Sequence, residues 1–168
     1  MLHQLISDSA DRTPEAPALL FKQQTLSYQA LQQEVARVAA GLRALGVERD
    51  ERVAVYLPKQ FETVTGLFGT MAAGGVFVPV NPVLKPEQVG HILRDCATRI
   101  LITSADRARL LGDTLAGCPE LTHLIITGEH SELPQELPQL VQRWEDLLGS
   151  PVSPTCLLYT SDAADDRT

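Results

Sequence analysis

With 168 residues, 44% hydrophobic and 21% charged, the chain has the composition of one globular domain with a sizeable core, and its length argues against a second complete domain. A formal net charge of −7 without any basic run argues against nucleic acid or an anionic membrane surface as partner. No apolar run approaches a membrane span, and the N-terminus lacks the basic start and apolar stretch of a signal peptide, so the cytoplasm is the expected compartment.

Residues 2 to 10 pattern as a short outer helix with Leu2, Leu5 and Ile6 on one side, ended by Arg12-Thr13-Pro14. Ala18 to Phe21 and Gln24 to Leu26, separated by Lys22-Gln23, predict a two-stranded antiparallel element. Ser27 is placed to cap the first long helix, whose stripe is Leu31, Val35, Val38, Leu42 and Leu45 and whose end is Gly46.

From Arg52 the pattern alternates strand and helix. Val53 to Leu57 reads as a strand, and Phe61, Val64, Leu67, Phe68 and Met71 give a helix that stops on Gly74-Gly75. Val76, Phe77, Val78 and Val80 follow as an uninterrupted apolar run, expected to be a strand covered on both faces. Pro79 cannot donate to a ladder, so it belongs near the strand's end or where the ladder is open.

Pro86 suits a first helical position, and Val89, Ile92, Leu93 and Cys96 mark that helix's apolar face. Ile100 to Thr103 is a strand, Asp106 to Leu115 a helix and Leu124 to Thr127 a further strand. Gly128 to Gln139 is expected to be loop, and Leu140, Val141, Trp144, Leu147 and Leu148 a short amphipathic helix broken by Gly149 and Pro151. Such alternation specifies an α/β, doubly wound, mainly parallel sheet with helices on both faces.

Three collinear segments carry a resemblance. Ala-Gly-Gly-Val-Phe-Val-Pro-Val-Asn-Pro (73–82) resembles the Ala-Gly-x-x-x-Val-Pro-x-(Asp/Asn)-Pro segment of AMP-forming adenylating enzymes, the superfamily of acyl-CoA synthetases, peptide-synthetase adenylation domains and luciferases. Thr25 to Leu31 resembles its Leu-(Thr/Ser)-Tyr-x-x-Leu, and Asp50 to Val55 its Gly-Asp-x-Val-Ala-(Val/Ile) strand entry. The resemblance runs from about Leu2 to Pro151 and implies that residues 1–152 are part of an N-terminal adenylation domain.

The same resemblance implies the parent chemistry: ATP and Mg²⁺ activate a small carboxylic acid to an acyl-adenylate, which passes to a thiol of coenzyme A or a carrier arm. Asn81 leans toward acyl-CoA ligases, and Leu57 to Thr63 with Asn81 to Gln88 is similar to the subgroup found with bacterial exosortase systems. An amino-acid-activating adenylation domain is the alternative within the superfamily. A flavodoxin-like binding module without catalysis is the alternative outside it.

The family's phosphate loop reads Tyr-Thr-Ser-Gly-(Ser/Thr)-Thr-Gly-x-Pro-Lys-Gly, whereas Tyr159-Thr160-Ser161 here runs into Asp162, Ala163, Ala164, Asp165 and Asp166. Three carboxylates without glycines oppose a triphosphate. Cys156 to Asp165 instead resembles the translated mosaic end of a transposase-type sequencing adapter, so residues 153–168 are expected to be a non-native, disordered tail.

Neither that loop, a ribose-binding acid nor a C-terminal lysine is recognisable, so no catalytic, cofactor-binding or metal residue is assigned and the chain is expected to bind no cofactor and to be inactive. Lys22, Lys59 and Lys85 read as solvated surface, and His3, His91, His123 and His130 lack carboxylate or cysteine partners at recognisable spacing. Cys96, Cys118 and Cys156 form neither a Cys-x-x-Cys pair nor a metal spacing with histidine, and Cys96 is expected in the core.

Overall fold

The computed structural model describes residues 2–129, 133 and 136–149. The expected tail, residues 153–168, lies outside the described residues.

Helix α1 (Leu2–Arg12) precedes an antiparallel hairpin of β1 (Pro17–Phe21) and β2 (Gln24–Ser27). Lys22 and Gln23 form its turn at φ 47° and 67°, both left-handed as a two-residue hairpin of that twist requires. Ser27 then caps α2 (Tyr28–Ala44), its Oγ accepting from Ala30 N at 3.2 Å. Leu31, Val35, Val38 and Leu42 are buried, as their spacing predicts.

The main sheet has five parallel strands in the order β4-β3-β5-β6-β7. These are β3 (Arg52–Tyr56), β4 (Val76–Pro79), β5 (Ile100–Ser104), β6 (His123–Thr127) and β7 (Leu140–Arg143). Between them run α3 (Phe61–Ala72), α4 (Pro86–Asp95) and α5 (Ala105–Leu111), the last continuing as a 3₁₀ turn, Gly112–Gly117.

Strand alternation sorts the core into two halves. Val53, Val55, Ile100, Ile102 and Ile125 join residues of α2, Trp144 and Leu147 on one face. Ala54, Tyr56, Leu101, Leu124 and Ile126 join Val89, Leu93, Ala108 and Leu111 on the other. The doubly wound expectation therefore holds, with both faces of the central strands covered.

Several local expectations are corrected. Leu140–Arg143 is not helical but an edge strand, paired parallel with β6 from His123↔Leu140 to Ile126↔Arg143. Its apolar residues misled because Leu140 and Val141 are exposed, at 67% and 41%; backbone pairing, not burial, makes this strand. Only Trp144–Leu148 is helix, α6. Among the described side chains of α1, Gln4, Ile6 and Ala10 are buried, whereas Leu5 is exposed, because one flank of that helix meets α2 and α3.

Strand β4 is the other edge, so it is not covered on both faces as expected: Val76 and Pro79 are exposed and Phe77 is half-buried. Pro79 does end the strand, on an edge where its missing N–H costs nothing. The helix expected over Asp106 to Leu115 stops earlier, at Leu111, where Gly112 turns to φ +47°. Cys96 is half-buried against the second core and Cys118 is buried; both are free thiols.

The large apolar residues of α3 are half-buried, Val64 and Phe68 among them packing against the core beneath α2, and none is among its fully buried positions. Thr65, Gly66, Gly69, Thr70 and Ala72 are the buried residues, because α2 and the sheet come too close for larger ones. A Cβ on Gly69 would lie 2.3 Å from Val38 Cγ1, and one on Gly66 would lie 3.2 Å from Val55 Cγ2. The helix ends through Gly74 at φ +88°, and Gly75 sits where a Cβ would be 3.0 Å from Glu51 O. The paired glycines are thus explained by turn and packing, as the sequence implied.

Candidate functional site

In this strand order the crossovers diverge between β3 and β5, and the crevice beyond the carboxyl ends of those strands is where doubly wound sheets hold ligands. Here the crevice is occupied by side chains. Tyr56 is fully buried and its hydroxyl donates to Leu84 O at 3.0 Å. Thr103 Oγ1 donates to Tyr56 O at 2.7 Å, tying the two strand ends together.

Arg107, in the first turn of α5, lays its guanidinium 5.0 Å from the Tyr56 ring centroid and donates from Nη1 to Pro82 O at 2.6 Å. Asn81 Oδ1 accepts from Val83 N at 3.0 Å, which tightens the same loop. The loop after β4 is therefore drawn across the crevice, and Arg107 spends its charge holding it there. Arg107→Ala is expected to cost about 1–3 kcal/mol, the range of a charge-assisted hydrogen bond plus a cation–π contact. Denaturant titration measures the loss, and amide exchange at Val83 to Lys85 should accelerate by about tenfold or more.

An open groove of about 650 Å³ lies on the far flank of β3, between α3 and β4. Val55, Val64, Leu67, Phe77 and Pro79 make it apolar, and Lys59, Thr63 and Asn81 are its polar members.

At the amino end of the sheet Arg99 Nη1 meets Glu51 Oε2 at 2.5 Å. Burial alone would raise the Glu51 carboxyl, but the Arg99 hydrogen bond, the Glu48 N–H and the Arg99 charge outweigh it and hold it below the usual range. His123, half-buried nearby with Nδ1 2.8 Å from Thr122 Oγ1, is pushed down by burial and by Arg99. This pair staples the entries of β3 and β5.

The structure places the sequence candidates as follows. Lys22, Lys59 and Lys85 are exposed. His91 is exposed on α4, while His130 and the side chain of His3 lie outside the described residues. Among the described residues no group of three or more His, Cys, Asp or Glu could hold a metal ion. Among the described residues the groove beside β4 has Lys59 as its cation, and Arg107 at the crevice is engaged with Pro82 O and the Tyr56 ring.

The three motif segments lie at structural joints: the passage from β2 into α2, the entry to β3, and the turn from α3 through β4. Residues 6–161 match the family described as AMP-binding enzyme. The chain belongs to that family.

Tyrocidine synthase 3 of Brevibacillus parabrevis is 37% identical over 123 residues, 73% of this chain and 2% of that protein. Tyrocidine synthase 1 of the same organism is 30% identical over 158 residues, 94% of this chain and 13% of that protein. The crystal structure of the anthranilate CoA ligase AuaEII in complex with anthranoyl-AMP superposes with a TM-score of 0.80 at 27% identity, covering 90% of this chain and 28% of that one. The chain thus spans a small part of each relative, and within the family fold it corresponds to the amino-terminal part.

Sequence reasoning missed the Tyr56–Arg107 clamp. Its one signal was a tyrosine closing an otherwise aliphatic strand, a residue whose hydroxyl needs a partner when buried.

Proposed function

We propose that residues 2–149 are the opening α/β lobe of an adenylate-forming carboxylate–thiol ligase, which uses ATP, Mg²⁺ and coenzyme A or a carrier thiol. The match of residues 6–161 to the AMP-binding enzyme family carries this reading. On its own the lobe acts as scaffold. Its buried switch point and single groove lysine supply no neutralisation for a triphosphate, which adenylate formation requires.

Asn81 supports a coenzyme A ligase, and the similarity to AuaEII supports an aryl acid as substrate. The similarity to tyrocidine synthases supports a second reading, activation of an amino acid for a carrier arm. The cytoplasm is the compartment proposed for either.

The full chain, incubated with labelled pyrophosphate, ATP, Mg²⁺ and a panel of fatty, aryl and amino acids, should give no exchange above a blank. A chimera in which residues 2–149 replace the superposed part of AuaEII should regain anthranilate-dependent exchange. A folded but silent chimera would contradict the reading. Residues 153–168 are proposed to be adapter-encoded, and the coding DNA decides this: codons 156 to 161 that differ from the adapter's mosaic end would refute it.

A further inference from the structure

We propose that the groove between α3 and β4 binds a single-chain amphiphile with an anionic head, apart from the crevice between β3 and β5. The lining of the groove carries the inference, whichever acid the ligase activates.

Topology sorts that lining into two ends. Strands β3 and β4 run parallel, so α3, which joins them, runs back against both. The first turn of α3 therefore stands at the carboxyl ends of the strands, together with the segments that leave β3 and β4. Lys59, Thr63 and Asn81, the polar members of the lining, belong to this end. Toward the amino end the walls are Val55, Val64, Leu67 and Phe77. The groove is thus polar at one end and apolar along the rest.

The polar end is held in place but not used up. Thr63 Oγ1 donates to Pro58 O at 2.8 Å, which pins the turn that carries Lys59. Lys59 itself has no ion pair or hydrogen bond among the described residues. Asn81 Oδ1 accepts from Val83 N at 3.0 Å, and Asn81 Nδ2 has no acceptor among the described residues. Glu62, the acid of the same helical turn, accepts from Gln60 Nε2 at 3.1 Å and does not line the groove. A free ammonium with a free amide N–H is a donor set for an anion.

The apolar part is likewise uncovered. Leu67 is half-buried and belongs to neither core, and Pro79 is exposed on the edge strand. A volume of about 650 Å³ with apolar walls and a few polar groups gathered at one end has the size and make-up of a small-molecule site. Walls formed by one helix and one strand make a straight slot, which suits an unbranched chain. Burial of that chain against Leu67, Phe77 and Pro79 supplies affinity, and Lys59 selects the head.

Amide chemical shifts of the isotope-labelled full chain, titrated with decyl sulfate and with decanoate below their micellar concentrations, test this. Both should move Lys59, Val64, Leu67 and Phe77 saturably, and decyltrimethylammonium should bind about fivefold or more weakly, the effect of turning an exposed attraction into a repulsion. Binding of one anion without the other would uphold the site and name its head, a carboxylate or a sulfate-like ester. Lys59→Glu, at an exposed position, should keep the denaturant midpoint and reverse the order of heads, while Lys59→Gln should abolish the preference without reversing it. Equal affinity for anionic and cationic heads, an unchanged order in both variants, shifts that never saturate, or shifts centred on Leu140 and Val141 of β7 would overturn the inference. None of these outcomes bears on the exchange assay, so the lobe reading stands or falls separately.

Discussion

Ile102→Ala is expected to lower stability by about 2–5 kcal/mol, the cost of a large core deletion with an unfilled cavity. Ile102 is fully buried at the middle of β5, in register with Val55 on one neighbour and Ile125 on the other, and all three feed the core beneath α2. Domains of this kind are stable by only about 5–15 kcal/mol, so this one change consumes a large part of the total. Urea unfolding followed by circular dichroism reads the loss. Val83→Ala, at an 81% exposed position, should stay within about 0.5 kcal/mol of wild type; equal effects at the two sites would contradict the described core.

Gly69→Ala is the second large effect, and its sign is informative. In an ordinary helix interior the change would stabilise by about 1 kcal/mol. Here the added Cβ would stand 2.3 Å from Val38 Cγ1 and 2.6 Å from Val38 Cβ, so α2 and α3 must separate, at an overpacking cost of about 1–3 kcal/mol. Net destabilisation is expected. Val38→Ala should recover part of it, because it removes the Cγ1 methyl at 2.3 Å while the Val38 Cβ at 2.6 Å remains. A double-mutant cycle measures that coupling, and simple additivity would mean the two helices do not meet at these residues.

The sheet was legible wherever strand and helix differ in period and both bury side chains. Val53, Ile100 and Leu124 head runs that are apolar because they are covered on both faces, and their strands fall where the pattern puts them. Ser27 as cap and Pro79 as strand end were legible because each has one backbone consequence. Strand β7 was not, since an edge strand beside a tryptophan-led helix presents the same apolar spacing as one longer helix.

The orientation of α3 was also illegible. Periodicity finds the large residues, but the tight approach of Val38 selects small ones for the inner face. The clamp of Arg107 on Tyr56 and Pro82 joins a helix, a strand end and a loop that are far apart in sequence, and no local pattern encodes such a contact. The family was legible from three short segments because each sits at a turn where backbone geometry restricts the residue.

ATP–pyrophosphate exchange by the full chain tests the central claim most directly. The proposed scaffold role predicts no exchange above a no-protein blank with any acid of the panel, since loss of even one oriented donor removes about two to three orders of magnitude in rate. Acid-dependent exchange that boiling the protein abolishes would contradict it, and would place an adenylating site within this chain.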